Sequence, residues 1–298
     1  MGAIVNYFFP INPVTDRREF HLIPFSIEDF VGQNSYAPLI AKSGGEITET
    51  HATYGRYATL VKNVGAALAK EAKRKDLNFQ FTVIDSQEDN AWCLPGGKIG
   101  INLGLIQGME NEGILGQNQR NFTLDEKIAA VLSHEIVHAD ARHTGRSLEF
   151  RLFLVGIIKA AQLFVIHLWV DRSYNVKIKE ADPSQVPALT AERKTQAERI
   201  GTLFNYASSW LISGISLCNS RSHELESDRY GMRMLRSSYI YPPEAAVWLQ
   251  HYFKKHHSHD TGNTLLNRII NYFSSHPSPE ERLEANKQTL KDLQEATL

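Results

Sequence analysis

Cysteine is nearly missing from this chain. Cys93 and Cys218 are the only two in 298 residues, and neither belongs to a C-x-x-C pair or lies near a histidine at zinc-finger spacing. No cysteine-based metal cluster or disulfide framework is therefore expected. A single bridge between the two stays open, although a chain of this length can build its core without a covalent staple. Net charge is missing as well: 32 basic residues face 33 acidic ones, which leaves no overall field to steer nucleic acid. With no repeat of solenoid or propeller period and no low-complexity tract, one domain over residues 1–298 is the simplest parse. The N-terminal stretch has no basic n-region and no small-residue cleavage site, so it does not read as a complete secretory signal. Nor is there a clean hydrophobic run. The most apolar stretch, Leu148 to Val170, is broken by Glu149, Arg151, Lys159 and Gln162, too many polar groups for a transmembrane span. It is predicted to be an amphipathic helix packed on the protein's own core, with peripheral contact to a membrane surface or a partner as the alternative.

What is present is the pattern of a mainly helical globular chain. After an irregular N-terminal segment over 1–50, Tyr57, Leu60, Val61, Val64 and Leu68 recur at helical spacing and the basic run Lys70 to Lys75 suits a helix C-terminus. Phe79, Phe81 and Val83 alternate with polar residues, as do Ile99, Ile101 and Leu103. These predict two strands of a small antiparallel sheet, with Pro95, Gly96 and Gly97 supplying turn chemistry between them. A polar loop over 108–121 leads to Thr123 and Glu126, a capping-box pair that predicts the start of a helix. The stretch from Ser173 to Arg199, charged and containing Pro183 and Pro187, reads as a long connection, a lid or a surface insertion. His251, His256, His257 and His259 have irregular spacing and read as a solvated loop. Ser278, Pro279 and Glu281 predict a last helix.

The chemistry sits on the capped helix. His134-Glu135-Ile136-Val137-His138 matches H-E-x-x-H. Residues four apart share a helix face, so His134 and His138 can send ring nitrogens to one ion, while Glu135, about 100° round the axis, lies beside it. From there its carboxylate can take a proton from a water that zinc has made acidic. Catalytic zinc keeps three protein ligands and one open position. The best third ligand is Glu224, with Asp228 one turn on to hold the free nitrogen of a ligand histidine. His223 is a competing ligand, and Glu226 is predicted to point away to the surface.

Four separated stretches carry a resemblance: Leu132 to His138 with the trailing Ala141-Arg142-His143, Glu224 to Asp228, Asn90 to Lys98 with its Pro-Gly-Gly, and His276-Pro277 with Arg282. Asn12 to Arg17 and Gly32 extend it towards the N-terminus. Together they resemble the HtpX and CAAX-prenyl-protease family of zinc metallopeptidases, metallopeptidase family 48, and most of all its soluble Oma-like subgroup. Ser227 replaces the usual alanine. The resemblance implies a mainly α (α+β), gluzincin-like domain with a small β-sheet edging the active-site cleft. It also implies one Zn2+ per chain on His134, His138 and Glu224, and Glu135 as catalytic base. Asp228 and His143 would support the ligands. Lys98, Ile99, Gly100 and Ile101 would align a peptide substrate on an edge strand. His276 and Arg282 would stabilise the oxyanion, with His276 alternatively filling the open metal position. The expected activity is endopeptidase action on unfolded or misfolded proteins in quality control, in the cell envelope. The rival readings are a zinc-bound, chaperone-like module with a blocked site, and a zinc hydrolase acting on a non-peptide bond.

Overall fold

The computed structural model describes residues 6–116, 120–257 and 279–296, with side chains except at 207–220, 257 and 279. The chain divides into two compact units, Met1–Ser147 with Ser220–Leu298, and Leu148–Asn219.

In the first unit, α1 (Phe25–Lys42) precedes the short strand β1 (Glu46–Ile47) and α2 (Gly55–Ala69). The N-terminal segment is therefore partly helical and not irregular to residue 50. Three more strands and a third helix follow: β2 (Gln80–Ile84), β3 (Ala91–Leu94), β4 (Lys98–Asn102) and α3 (Leu103–Asn111). The sheet order is β1-β2-β4-β3. β2 and β4 pair in parallel, and β3 and β4 antiparallel, so the sheet is mixed where an antiparallel one was expected. The Pro-Gly-Gly turn joins β3 to β4 and not β2 to β4. Gly96 and Gly97 both have φ near +78 (77 and 78), a conformation open at low cost only to glycine.

The first unit's core gathers around α4 (Leu124–Asp140), with Ile128, Leu132, Ile136 and Val137 among its buried residues. The capping box forms: the Thr123 N–H donates to the Glu126 carboxylate over 2.9 Å. At its other end Asp140 accepts the backbone N–H groups of Lys73 and Arg74 over 2.8 and 2.7 Å, tying α4 to the chain leaving α2. Arg142 then turns into the left-handed region, φ 58, at the position where a helix-ending glycine is usual. The buried ion pair of its guanidinium with Glu28 of α1, and the Phe25 ring against it, hold that costly conformation. The chain is thus redirected so that α5 (His143–Val165) begins immediately.

The second unit is helical except for a turn at 181–185. α5 runs through a π-helical stretch, Ile166–Asp171, into α6 (Arg172–Glu180), and α7 (Val186–Ser238) returns. Lys159 donates to Asn205 over 2.9 Å and Arg193 pairs with Asp171 at 3.1 Å between the outgoing and returning helices. The anticipated connection at 173–199 is therefore not a loop but part of a helical hairpin. The expected packing of Leu148 to Val170 on a core also fails. Leu152, Phe153, Ile157, Leu163, Phe164 and Trp169 are all exposed, Trp169 by 76%, because apolar residues surround this helix and its partner helix covers only one side. The helix from His143 to Glu180 is long and apolar enough to cross a membrane. α8 (Glu244–His257) and α9 (Pro279–Glu295) complete the first unit. His251, His256 and His257 lie on α8, not in a loop; His259 lies outside the described residues.

Candidate metal centre

α7 approaches α4 at Gly231, where a Cβ would meet the His134 backbone nitrogen at 3.2 Å. A larger residue would push the helices apart at the point where their side chains must meet. On α4, His134 Nε2 and His138 Nε2 lie 3.0 Å apart. Glu224 places Oε2 3.2 Å from the first and Oε1 3.4 Å from the second. The three ligand atoms fall within 4.8 Å of one another. Two imidazole nitrogens and one carboxylate oxygen form the donor set that suits a four-coordinate zinc with one position left over, so the residues present fit that ion.

Around these three, each free nitrogen is engaged. His134 Nδ1 lies 2.9 Å from Asp228 Oδ1, so the carboxylate accepts its hydrogen and Nε2 is the nitrogen turned towards Glu224. Burial opposes charge on His134, but hydrogen bonds to Asp228 and Glu224 outweigh it and raise its pKa to about 10. The pocket is thus built for a positive charge. Asp228 itself, despite burial, is held below its ordinary pKa by the Arg282 guanidinium. Arg282 donates from Nε and Nη2 to the two Asp228 oxygens over 2.7 and 2.6 Å and stands 3.3 Å from Glu224. Its charge is committed to the two carboxylates that back and complete the donor set. His276 lies outside the described residues.

His143 is 1% exposed. Its Nδ1 is 3.1 Å from His138 Nδ1 and 3.0 Å from Ser227 Oγ, and its Nε2 is 2.8 Å from Glu226. Burial, with His138, His223 and Arg146 nearby, pushes its pKa well below the usual histidine value. His223, the competing ligand, stacks flat on His143 with ring centroids 4.5 Å apart. Burial and Arg146 push its pKa down to about 3. Glu226 is not a surface residue: its side chain is 14% exposed. It faces away from Glu224 as the helix geometry requires, but the N-terminal segment covers it there. That contact has no local sequence signal.

Glu135 is half-buried beside the histidines. Its charge reaches both Arg282, whose pKa it helps to raise, and Cys93 on β3, whose thiol is pushed well up by burial and by Glu135. Cys93 is a free thiol; the side chain of Cys218 lies outside those described. The assignment of Lys98, Ile99, Gly100 and Ile101 to a substrate-aligning edge is corrected by the strand order. β4 is paired on both sides, by β2 and β3, and its residues are buried, so its backbone groups are already bonded. The terminal strand next to α4 is β3. It was missed because Ala91 to Leu94 is short and does not alternate in polarity, although the Pro-Gly-Gly turn after it was a hairpin signal.

The family model for peptidase family M48 matches residues 57–290. The chain is 24% identical over 296 residues to mitochondrial metalloendopeptidase OMA1 of Schizosaccharomyces pombe, covering 98% of this chain and 70% of that protein. It is 24% identical over 225 residues to the beta-barrel assembly-enhancing protease of Escherichia coli K12, and 26% identical over 221 residues to OMA1 of Arabidopsis thaliana. These alignments cover 75% and 74% of this chain but only 37% and 33% of the two relatives.

Proposed function

Since the chain belongs to peptidase family M48 and is a metalloprotease, we propose that it is a one-zinc endopeptidase that cuts unfolded or misfolded proteins in quality control. The observation that carries this reading is the convergence of His134, His138 and Glu224 on one point beside Glu135. When bound there, zinc supplies Lewis acidity, which lowers the pKa of water towards neutrality and polarises a carbonyl. Glu135 takes the proton from the attacking water and delivers it to the leaving amine. Asp228 keeps His134 in the tautomer that presents Nε2. Arg282 holds Asp228 and Glu224 in place, as a positioning residue.

A peptide adds as an extra strand to the edge of β3 that no other described strand pairs. Main-chain hydrogen bonds then carry most of the recognition, which gives the weak sequence preference that a quality-control protease needs. The exposed apolar helix His143–Glu180 is the element that contacts a lipid membrane, in keeping with an envelope location. The test of the reaction is hydrolysis of a generic unfolded protein with and without a chelator, with the products identified by mass. Products with new amino termini, lost on chelation, are expected. Intact substrate in the presence of zinc, or cleavage that a chelator leaves unchanged, contradicts the proposal.

A further inference from the structure

The N-terminal segment reaches the metal centre through a continuous line of hydrogen bonds. Asn12 folds its own loop, its Oδ1 accepting the Val14 N–H over 2.9 Å, and Asp16 takes the left-handed conformation needed to close it, φ 56. The Asn12 Nδ2 donates to the Ala141 carbonyl, at the end of the helix that carries both histidines, over 2.9 Å, and to Glu19 over 2.7 Å. Glu19 accepts from Arg146 Nη1 over 2.6 Å, and Arg146 Nη2 donates to Glu226 Oε1 over 2.9 Å. Glu226 in turn meets His143 Nε2 at 2.8 Å.

The last two links have a chemical consequence. A carboxylate only accepts, so Glu226 requires the hydrogen of the neutral His143 ring to sit on Nε2. The Nδ1 lone pair of His143 is then left to accept, and it lies 3.0 Å from Ser227 Oγ and 3.1 Å from His138 Nδ1. Facing that lone pair, His138 is favoured to carry its hydrogen on Nδ1, since two lone pairs would otherwise oppose each other, and so to present the Nε2 lone pair towards His134 and Glu224. With the opposite His143 tautomer, two N–H groups would face each other at that distance, and His138 would have to rotate or present a hydrogen to the ion.

We infer that Glu226, held by Arg146, which Glu19 of the N-terminal loop anchors in turn, is a positioning residue that sets the His143 tautomer and through it turns the metal-facing lone pair of His138 inward. This inference rests on the reading of His138 as a zinc ligand. It makes the loop Asn12–Glu19 a working part of the site, although none of its residues touches the ligand atoms.

The experiment measures zinc affinity of the full chain by competition with a chromophoric chelator, and the His143 tautomer by two-bond proton–nitrogen spectra of the zinc-loaded protein. Glu226→Leu is expected to weaken zinc binding about 10–100-fold, the usual effect of losing a partner behind a ligand, and to abolish the unique Nε2–H signal of His143. Glu226→Gln, which keeps an acceptor for His143, recovers most of the affinity; general loss of packing would not be rescued in this way. Glu19→Leu, a more distant change that removes the acceptor for Arg146, serves if Glu226→Leu does not fold and is expected to weaken binding in the same direction. Folded Glu226→Leu with wild-type affinity and an unchanged His143 tautomer overturns the inference alone, as does wild-type affinity in Glu19→Leu where that variant must decide. Wild-type protein that binds no zinc, or zinc retained in full by His134→Ala, overturns the ligand assignment and the relay with it.

Discussion

At the scale of single residues, the centre is a stack of charges that neutralise one another out of water. Arg282, 11% exposed in its side chain, is the counterion of Asp228 and a neighbour of Glu224. Removing one partner of a buried pair leaves the other uncompensated, at a cost of about 3–5 kcal/mol. Arg282→Leu should therefore destabilise the metal-free protein by that order, and added zinc, a second cation beside the same carboxylates, should recover part of the loss. Denaturant unfolding with and without zinc checks this; an unchanged midpoint in the metal-free variant would mean that the pair contributes nothing. How much of this was legible depended on sequence distance. His134 and His138 are one turn apart on one helix, so their convergence follows from helix geometry. Glu226 is two residues from Glu224 and correctly expected to face the other way. It is nevertheless largely covered, because residues some two hundred positions earlier dock on that side. No periodicity encodes such a contact.

At the scale of elements, what matters is which strand is terminal. β4 reads well in sequence because it alternates and follows a turn, yet its good pairing is what disqualifies it from binding a peptide. β3 is short and was not read at all, yet it ends the sheet. Neighbouring residues of a strand direct their N–H groups to opposite sides, so of Trp92 and Cys93 one N–H points to β4 and the other to the open side. Proline at the inward position removes a ladder hydrogen bond and damages the fold. At the outward position it removes only a donor available to substrate. One of Trp92→Pro and Cys93→Pro should thus keep fold and metal content while losing turnover of peptides. If the variant that folds cleaves peptides at the wild-type rate, substrate does not pair with β3. The helices were more legible than the sheet, since caps such as Thr123 with Glu126 are local, whereas parallel pairing of β2 with β4 joins segments whose sequences do not reveal their order.

At the scale of the whole molecule, one unit holds the candidate metal centre and the other is a helical hairpin with exposed apolar side chains. Most apolar side chains of 148–170 are exposed and not packed on a core, although Glu149, Arg151 and Lys159 in the sequence count against a lipid environment. In the structure, Lys159 is hydrogen-bonded to Gln162 and Asn205 and Glu149 is buried, so two of the three charges are not simply presented to the surroundings. The full chain should float with lipid vesicles in a density gradient, and replacing Leu163, Phe164 and Trp169 with serine should release it while leaving zinc content unchanged. Wild-type protein that stays at the bottom of the gradient would show that this surface does not meet lipid. The proposed activity rests on a single metal-dependent base reaction, and its sharpest test is a zinc titration of the metal-stripped protein. Turnover of an unfolded protein substrate should rise from zero and saturate at one zinc per chain, with Glu135→Gln taking up the same single ion and remaining inactive at every concentration. Turnover by the stripped protein, or near-normal turnover by Glu135→Gln, would contradict it.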